Sequence, residues 1–236
     1  MRILLLGHGR MGTLVESLAP AYGATVAGVI DEHSGPNAIA TGDFADVDVA
    51  IDFTLAEAVP KNLPQLAARR INVVIGTTGW QSHEAAMRDT AAKAGIGVLA
   101  AANFSLGMNI FQLAVEEASR NFARHPEFGA WIHELHHTMK KDAPSGTALA
   151  LKSGMERAGY ARPIDVSSTR VGSVPGTHTI GFDGPSETIA FTHTVRDRAV
   201  FARGALAAAK WLIGRQGWFS IRDMLSDGSQ QSTVGS

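Results

Sequence analysis

The chain has 236 residues, no cysteine, and 21 lysines and arginines against 22 acidic residues. Without cysteine it has no disulfide, no thiolate nucleophile and no cysteine-based metal site. The near-zero net charge gives no reason to expect a nucleic acid as partner. The apolar run at residues 3–6 is too short for a secretory signal, and no run approaches the roughly 20 apolar residues that cross a bilayer. We therefore expect a cytoplasmic protein with no membrane partner.

Strands and helices alternate along the first hundred residues. Apolar runs predict five strands, at residues 2–6, 25–30, 47–53, 71–75 and 96–101. Helical patterns fall between them at residues 11–21, over part of 55–70, and from Ser82, which we expect to cap a helix ending at Gly95. Residues 36–43 are too few for a full crossover helix. This alternation predicts a Rossmann-like parallel sheet with right-handed crossovers, in a first domain over residues 1–103.

The pattern changes after Asn103. We predict helices at residues 106–120, 143–158 and 199–213, with Gly159 ending the second of them. A strand at residues 130–135 and β-rich stretches at 167–170, 177–182 and 188–194 predict a mixed, largely antiparallel sheet. Residues 104–203 are therefore expected to form a second, α+β domain. Residues 204–236 are expected to pack back on the first domain, and the last ten to fray.

A glycine-rich turn, G-H-G-R-M-G, links the first predicted strand to the first helix. In this context Gly7 permits the tight turn, Gly9 lets the backbone approach a pyrophosphate, and Gly12 lets the helix pack on the strand. Asp31 follows Gly12 by 19 residues, at a strand end where an acid binds the ribose. A plain strand–turn–helix is the alternative, but the combination predicts a dinucleotide-binding domain. Its predicted contacts in this region are Gly7, His8, Gly9, Arg10, Met11, Gly12 and Asp31.

The choice between NADH and NADPH depends on the charges near the ribose. No lysine or arginine occurs from residue 11 to residue 60, and Asp31 is followed by Glu32, which would repel a 2′-phosphate. Both observations favour NADH. Arg10 is a cation that could reach the adenosine end, so NADPH stays open as the alternative.

Three further loops follow predicted strands at the carboxyl edge of the sheet, where ligands of open α/β sheets bind. They comprise residues 52–54, 76–79 and 101–105, most of them small or hydroxylated, which suits a backbone that runs close to a cofactor. Ordinary turn chemistry is the alternative for each loop alone. The candidate cofactor contacts in these loops are Phe53, Gly76, Thr77, Thr78, Ala101, Ala102, Asn103 and Phe104.

Residues 134–147, E-L-H-H-T-M-K-K-D-A-P-S-G-T, concentrate two histidines and two lysines within six residues. A solvated loop is one alternative. A metal site is another, but adjacent histidines on a strand point to opposite faces, so we predict none. A histidine can donate a proton near neutral pH, and a lysine can neutralise a carboxylate or polarise a C=N bond. Residues 145–147 would start a helix with N–H donors for an anion. The stretch predicts a pocket for an acidic substrate that accepts a hydride and then a proton.

The signature E-x-H-H-x-x-K-x-D-A-P-S-G-T-A at residues 134–148 resembles that of the 4-hydroxy-tetrahydrodipicolinate reductases, also called dihydrodipicolinate reductases. The glycine turn and the D-F-T, G-T-T-G and A-N-F-S segments occur in the family's order, so the resemblance covers nearly the whole chain. It implies hydride transfer from NAD(P)H to C4 of a cyclic imine dicarboxylate, with loss of the hydroxyl as water, in diaminopimelate and lysine biosynthesis. It also implies a homotetramer built through the sheets of the second domain.

The same resemblance implies roles for residues of the second domain. His136 would be the proton donor, and Lys140 a second donor that also binds the substrate. His137 would contact one carboxylate. The start of the following helix, at Ser145, Gly146 and Thr147, would hold the other.

Two departures from the family pattern concern the adenosine side. Many members carry an arginine where this chain has Glu32, and residues 36–43 form a shorter segment than in many relatives. The competing interpretations are a related reductase, such as an aspartate dehydrogenase-like protein, and a module that senses NADH without turnover. The signature around His136 argues against the first, and the presence of His136 with Lys140 argues weakly against the second.

Overall fold

A computed structural model describes residues 1–227 of the chain. Its strands and helices are, in chain order, β1 (Arg2–Leu6), α1 (Arg10–Leu18), β2 (Thr25–Ile30), α2 (Ala38–Thr41), β3 (Val49–Asp52), α3 (Val59–Ala68), β4 (Asn72–Ile75), α4 (Glu84–Ala94), β5 (Gly97–Ala100), α5 (Leu106–Phe122), β6 (Gly129–His136), α6 (Gly146–Arg157), β7 (Ile164–Arg170), β8 (Gly176–Asp183), β9 (Thr188–Val195), α7 (Ala199–Leu212), β10 (Gly217–Phe219) and α8 (Ile221–Ser226). Of the last ten residues, which we predict to fray, all but Asp227 lie outside the described residues.

The chain divides into two compact units. Among the described residues, the first unit comprises Met1–Leu106 together with residues 199–227, and the second unit comprises Gly107–Arg198. Within residues 1–227, every helix is too short or too polar to cross a membrane.

The first unit contains a six-stranded parallel sheet with the order β10-β5-β4-β3-β1-β2. β1 and β3 are neighbours, with Ile3 opposite Val49 and Leu6 opposite Asp52. Because apolar layers cover both faces of the sheet, these central strands are apolar throughout most of their length. The strand order reverses between β1 and β3, and open α/β sheets bind ligands at the carboxyl edge of such a switch point.

Two apolar layers, one on each face of the sheet, stabilise the first unit. One layer involves α1 and α7, and the other involves α3 and α4. Helix α7 lies close to the sheet because it presents four fully buried alanines. Gly204 of α7 has no room for a side chain, since a Cβ there would lie 1.7 Å from the carbonyl oxygen of Phe104. Helix α7 is thus part of the core of this unit.

Some details of the first unit differ from the sequence prediction. Ser82 caps no helix, because it lies inside a 3₁₀ helix, Gln81–His83, and α4 begins only at Glu84. The sequence prediction has no sixth strand, because the three residues of β10 are too few to show an alternating pattern. Helix α2 is a single turn, which confirms the shortened crossover at residues 36–43.

The second unit contains a four-stranded sheet with the order β7-β6-β8-β9. β6 pairs parallel with β7 and antiparallel with β8, and β9 is antiparallel to β8, which confirms the predicted mixed sheet. Apolar residues of α5 and α6 pack with those of the sheet in one core that includes Ile132, Leu151 and Phe182. Along β6 every second residue is buried, so Glu134 and His136 lie on the same face as Ile132.

Helix α6 begins three residues later than predicted. Ala143 precedes Pro144, and a residue before proline is disfavoured in the helical conformation. Ser145 caps the helix instead, because its Oγ accepts a hydrogen bond from the N–H of Ala148 at 3.2 Å.

Candidate functional site

The glycine turn follows β1 at the switch point of the first sheet. The N–H of Gly7 donates to the carbonyl of Ile30 at 2.7 Å, and that of Phe53 donates to the carbonyl of Leu6 at 2.9 Å. Gly7 has a φ of +86°, and a Cβ there would lie 2.4 Å from the carbonyl oxygen of Phe53. A Cβ on Gly12 would lie 2.1 Å from the carbonyl oxygen of Gly7. Both glycines are therefore required by the fold of the turn itself.

Gly9 differs from the other two glycines of the turn. It is the N-cap of α1, with φ −74° and ψ −163°, and a Cβ placed on it would meet no atom within 4 Å. Nothing within residues 1–227 therefore requires glycine at this position. The open space lies at the N-terminus of a nine-residue helix that has no side-chain cap and no acidic residue in its first turn. The turn fits a dinucleotide, whose pyrophosphate would use this space and the unpaired N–H groups.

The other predicted residues of the turn lie on the surface or partly against the core. His8 hydrogen-bonds through Nε2 to Glu16 Oε2 at 2.7 Å, on the exposed surface. Arg10 is exposed, and Met11 packs partly against the core.

A buried carboxylate lies beside the turn. Asp52, 1% exposed, ends β3, and its Oδ1 accepts hydrogen bonds from Thr54 Oγ1 at 2.6 Å and Thr77 Oγ1 at 2.9 Å. Its Oδ2 accepts from the amide of Asn62 at 3.0 Å. These bonds join the loops after β3 and β4 to α3, so they hold the carboxyl edge of the sheet in one arrangement.

Asp31 lines a cavity of about 300 Å³ in the first unit, together with Ser34, Lys61 and Gln65. Its Oδ1 accepts from the backbone of His33 at 3.0 Å and from Ser34 Oγ at 3.2 Å, and these bonds lower the pKa of Asp31. The cavity lies at the end of β2, where the adenosine ribose is expected. Lys61 is a cation that the sequence prediction does not place there.

The remaining predicted cofactor loops lie along the same edge. Thr77 and Phe104 have buried side chains that serve internal contacts, whereas Thr78 and Ala102 are exposed. The ring of Phe53 fills the space that a side chain on Gly76 would need. A second cleft, of about 500 Å³, includes Thr77, Ala101 and Ala102 among its lining residues. The side-chain amide oxygen of Asn103, Oδ1, accepts a hydrogen bond from the N–H of Ser105 at 2.9 Å.

In the second unit, one buried carboxylate on β6 hydrogen-bonds to β6 itself, to β7 and to the cap of α6. Glu134 is fully buried on β6, and its Oε2 is hydrogen-bonded to His136 Nδ1. Arg170, at the end of β7, donates from Nη1 to Oε2 at 2.9 Å and from Nη2 to Oε1 at 2.7 Å. The N–H of Ser145, the cap of α6, donates to Oε1 at 3.1 Å. Burial raises the pKa of Glu134, but the hydrogen bonds from Arg170, Ser168 and His136 outweigh it and hold the pKa at about 2.

His136 lies between Glu134 and a glycine. Burial lowers the pKa of His136, and the hydrogen bond and charge of Glu134 oppose this effect. Its Nε2 lies against Gly176, where a Cβ would be only 2.9 Å away. The ring of His178 meets it edge-on at 5.1 Å between centroids. Burial, together with the nearby His136, lowers the pKa of His178 to about 4, so His178 is neutral at neutral pH.

Lys140 and the start of α6 both donate hydrogen bonds to the carboxylate of Asp142. Lys140 Nζ donates to both oxygens of Asp142, at 2.7 and 2.9 Å, and the N–H of Gly146 donates to Asp142 Oδ2 at 3.3 Å. The Lys140 ammonium lowers the pKa of Asp142. Two groups predicted to bind an anion therefore meet at one carboxylate of the protein. His137 follows β6 directly, and Thr147 lies in the first turn of α6.

Family models match both parts of the chain. Residues 1–104 match the model described as Dihydrodipicolinate reductase, N-terminus, and residues 107–225 match the one described as Dihydrodipicolinate reductase, C-terminus.

The chain belongs to the dihydrodipicolinate reductase family.

Similar proteins agree with this membership. A 4-hydroxy-tetrahydrodipicolinate reductase of Christiangramia forsetii is 34% identical, over 96% of this chain and 98% of that protein. One from Caldanaerobacter subterraneus subsp. tengcongensis is 36% identical, over 97% and 99%. The structure of a dipicolinate-bound dihydrodipicolinate reductase from Paenisporosarcina is similar in fold, with a TM-score of 0.77 over 93% of this chain and 97% of that one, at 18% identity. As a member of the dihydrodipicolinate reductase family, the chain is an oxidoreductase that uses a nicotinamide dinucleotide.

Several residues of the candidate sites in the two units are absent from the sequence prediction. Arg170 and His178 lie 36 and 44 residues after Glu134, and only the pairing of β7 and β8 with β6 brings them together. No local signal marks them. Asp52 and Asp142 could have been found, because each is an acid inside a segment that the prediction already singles out.

Proposed function

We propose that this chain reduces 4-hydroxy-tetrahydrodipicolinate, by way of dihydrodipicolinate, to tetrahydrodipicolinate with NADH or NADPH, in diaminopimelate and lysine biosynthesis. The observation that carries the proposal is the buried His136, held by Glu134 on a strand whose next residues supply Lys140 and the start of α6. These are the groups that a dicarboxylate substrate and a proton transfer require. The curated relatives carry the name of this reaction.

The first unit would bind the dinucleotide. Gly7 and Gly12 shape the turn, and Gly9 leaves the space that a pyrophosphate needs beside the N-terminus of α1. Asp31 would accept hydrogen bonds from the ribose hydroxyls. A bound reduced nicotinamide supplies a hydride.

The second unit would bind the acid groups of the substrate and supply the proton. Lys140 and the N–H groups of Gly146 and Thr147 would hold a carboxylate, and His137 would contact the other. Since Nδ1 of His136 faces Glu134, the proton would leave from Nε2 of the protonated ring. The product gains one hydride and one proton, and the hydroxyl leaves as water.

We also propose that NADH is preferred to NADPH. Glu32 is exposed next to Asp31, and two carboxylates would repel a 2′-phosphate. Lys61 lines the same cavity as Asp31 and acts in the opposite direction. Its single positive charge reduces the preference without reversing it.

We propose that the domain of residues 1–103 with 204–236 binds the dinucleotide. The domain of residues 104–203 would bind the substrate and form the contacts between subunits. The homotetramer and the cytoplasmic location remain predictions. Sedimentation of the purified protein would measure its oligomeric state directly.

The test couples a dihydrodipicolinate synthase to this protein and follows nicotinamide absorbance. We expect substrate-dependent oxidation, and we expect His136→Gln to lower kcat by about 10². His125→Gln is the matched control, because His125 lies in the same unit with an exposed side chain. NADH binding without turnover would refute the proposal in favour of a sensing module, and full activity of His136→Gln would exclude its role as proton donor.

A further inference from the structure

The buried carboxylate of Glu134 accepts several hydrogen bonds. Its two oxygens accept hydrogen bonds from β6, β7 and the cap of α6, through His136, Arg170 and Ser145. A fully buried carboxylate is unfavourable unless it is paired, and the bidentate contact with Arg170 supplies that pair. The contact with Arg170 leaves one lone pair of Glu134 Oε2 free to accept a hydrogen bond from the imidazole of His136.

A carboxylate can only accept a hydrogen bond, so its contact with His136 places a proton on Nδ1. The neutral ring then carries its free lone pair on Nε2, and the protonated ring carries its transferable proton there. The opposite tautomer would leave two acceptors facing each other inside the core. Glu134 therefore decides which nitrogen of His136 is available for chemistry.

The same carboxylate also fixes the start of α6. Its Oε1 receives the N–H of Ser145, the residue that caps the helix. The adjacent N–H groups of Gly146 and Thr147 are those proposed to hold a substrate carboxylate. One side chain thus sets the position of the proton donor relative to the anion-binding helix.

We propose that Glu134 is a positioning residue of the reductase reaction: it holds His136 with Nδ1 protonated and Nε2 free to exchange the proton, and it aligns the start of α6 with that ring. This inference rests on the proposed function. Arg170 supports it by keeping Glu134 ionised. The other charged or titratable groups that act on His136 are Lys140 and the neutral ring of His178.

The kinetic test compares Glu134→Gln with wild type over the pH range 5–9. Glutamine keeps the shape of the side chain but removes the negative charge that stabilises protonated His136. The pKa of His136 should fall, so the loss of kcat with rising pH should begin about one pH unit lower or more. We expect kcat at pH 7.5 to fall at least about 10-fold with little change in the KM for the dinucleotide. Glu156→Gln, on the exposed surface of the same unit, is the matched control. A lower kcat with an unshifted pH profile would overturn the proposal.

The wild-type protein supplies a second measurement that depends neither on turnover nor on the folding of Glu134→Gln. Long-range ¹H–¹⁵N spectra show which imidazole nitrogen carries the proton, and His136→Gln identifies the signals of His136. We expect the neutral ring to be protonated on Nδ1. A proton on Nε2 would overturn the proposal even if Glu134→Gln failed to fold. If the protein has no reductase activity, the proposed function fails, and the tautomer still decides the inference about Glu134.

Discussion

Gly9 offers a prediction in which stability and cofactor binding change in opposite directions. We consider Gly9→Asp, in which an acidic N-cap is added to α1. The backbone of Gly9 has a negative φ that any residue adopts, and a Cβ there meets no atom of the described residues within 4 Å. The variant therefore introduces no clash. Aspartate is a preferred N-cap, and its charge interacts favourably with the helix dipole, so the free energy of unfolding should rise by about 1 kcal/mol.

The effect on the dinucleotide should be the reverse. The new carboxylate would lie in the space proposed for the pyrophosphate. Like charges that lie a few ångströms apart at a protein surface repel by roughly 2–3 kcal/mol after screening. The dissociation constant for NADH should rise about 100-fold. Fluorescence titration measures the dissociation constant, and urea unfolding measures the stability. Gly9→Asn separates the two causes, because it adds nearly the same volume and cap without the charge, and should weaken binding by only about 10-fold.

Unchanged NADH affinity in Gly9→Asp, in a stable protein, would show that the pyrophosphate binds elsewhere. Gly12→Ala provides the contrast within the same turn. Its Cβ would lie 2.1 Å from the carbonyl oxygen of Gly7, so the protein should lose at least about 1 kcal/mol of stability.

Two further predictions concern charges at the proposed ligand sites. In the free protein the Asp142 carboxylate accepts hydrogen bonds from Lys140 and the start of α6, so Asp142→Asn should remove a competitor and lower the dissociation constant of dipicolinate about 10-fold. Calorimetry with dipicolinate measures this, and weaker binding would mean that Asp142 orients Lys140 for the ligand. On the adenosine side, wild type should have a lower KM for NADH than for NADPH. Glu32→Arg should lower the KM for NADPH. Lys61→Ala should raise the KM for NADPH and leave the KM for NADH unchanged. Equal changes in the two KM values of Lys61→Ala would show that Lys61 does not face the 2′ position.

Much of the first unit follows from local patterns. A run of buried residues such as β1, a glycine turn and a helix start are each encoded within a few neighbouring residues, so sequence alone predicts the parallel sheet and the position of Gly7, Gly9 and Gly12. The three-residue strand β10 has no such pattern. Its place beside β5 depends on the packing of α7 against the sheet.

The second unit shows what only tertiary structure decides. The alternation along β6 and the signature at residues 134–148 identify His136, Lys140 and the start of α6 from sequence. The local sequence does not specify which strands pair with β6, or the register in which they pair. The pairing of His136 with Arg170 and of Glu134 with His178 follows from that register. Glu134, an acid of the signature, thereby becomes the buried partner of His136, the proposed proton donor. Strand pairing joins residues far apart in the chain, and for that reason the network around Glu134 is visible only in the folded protein.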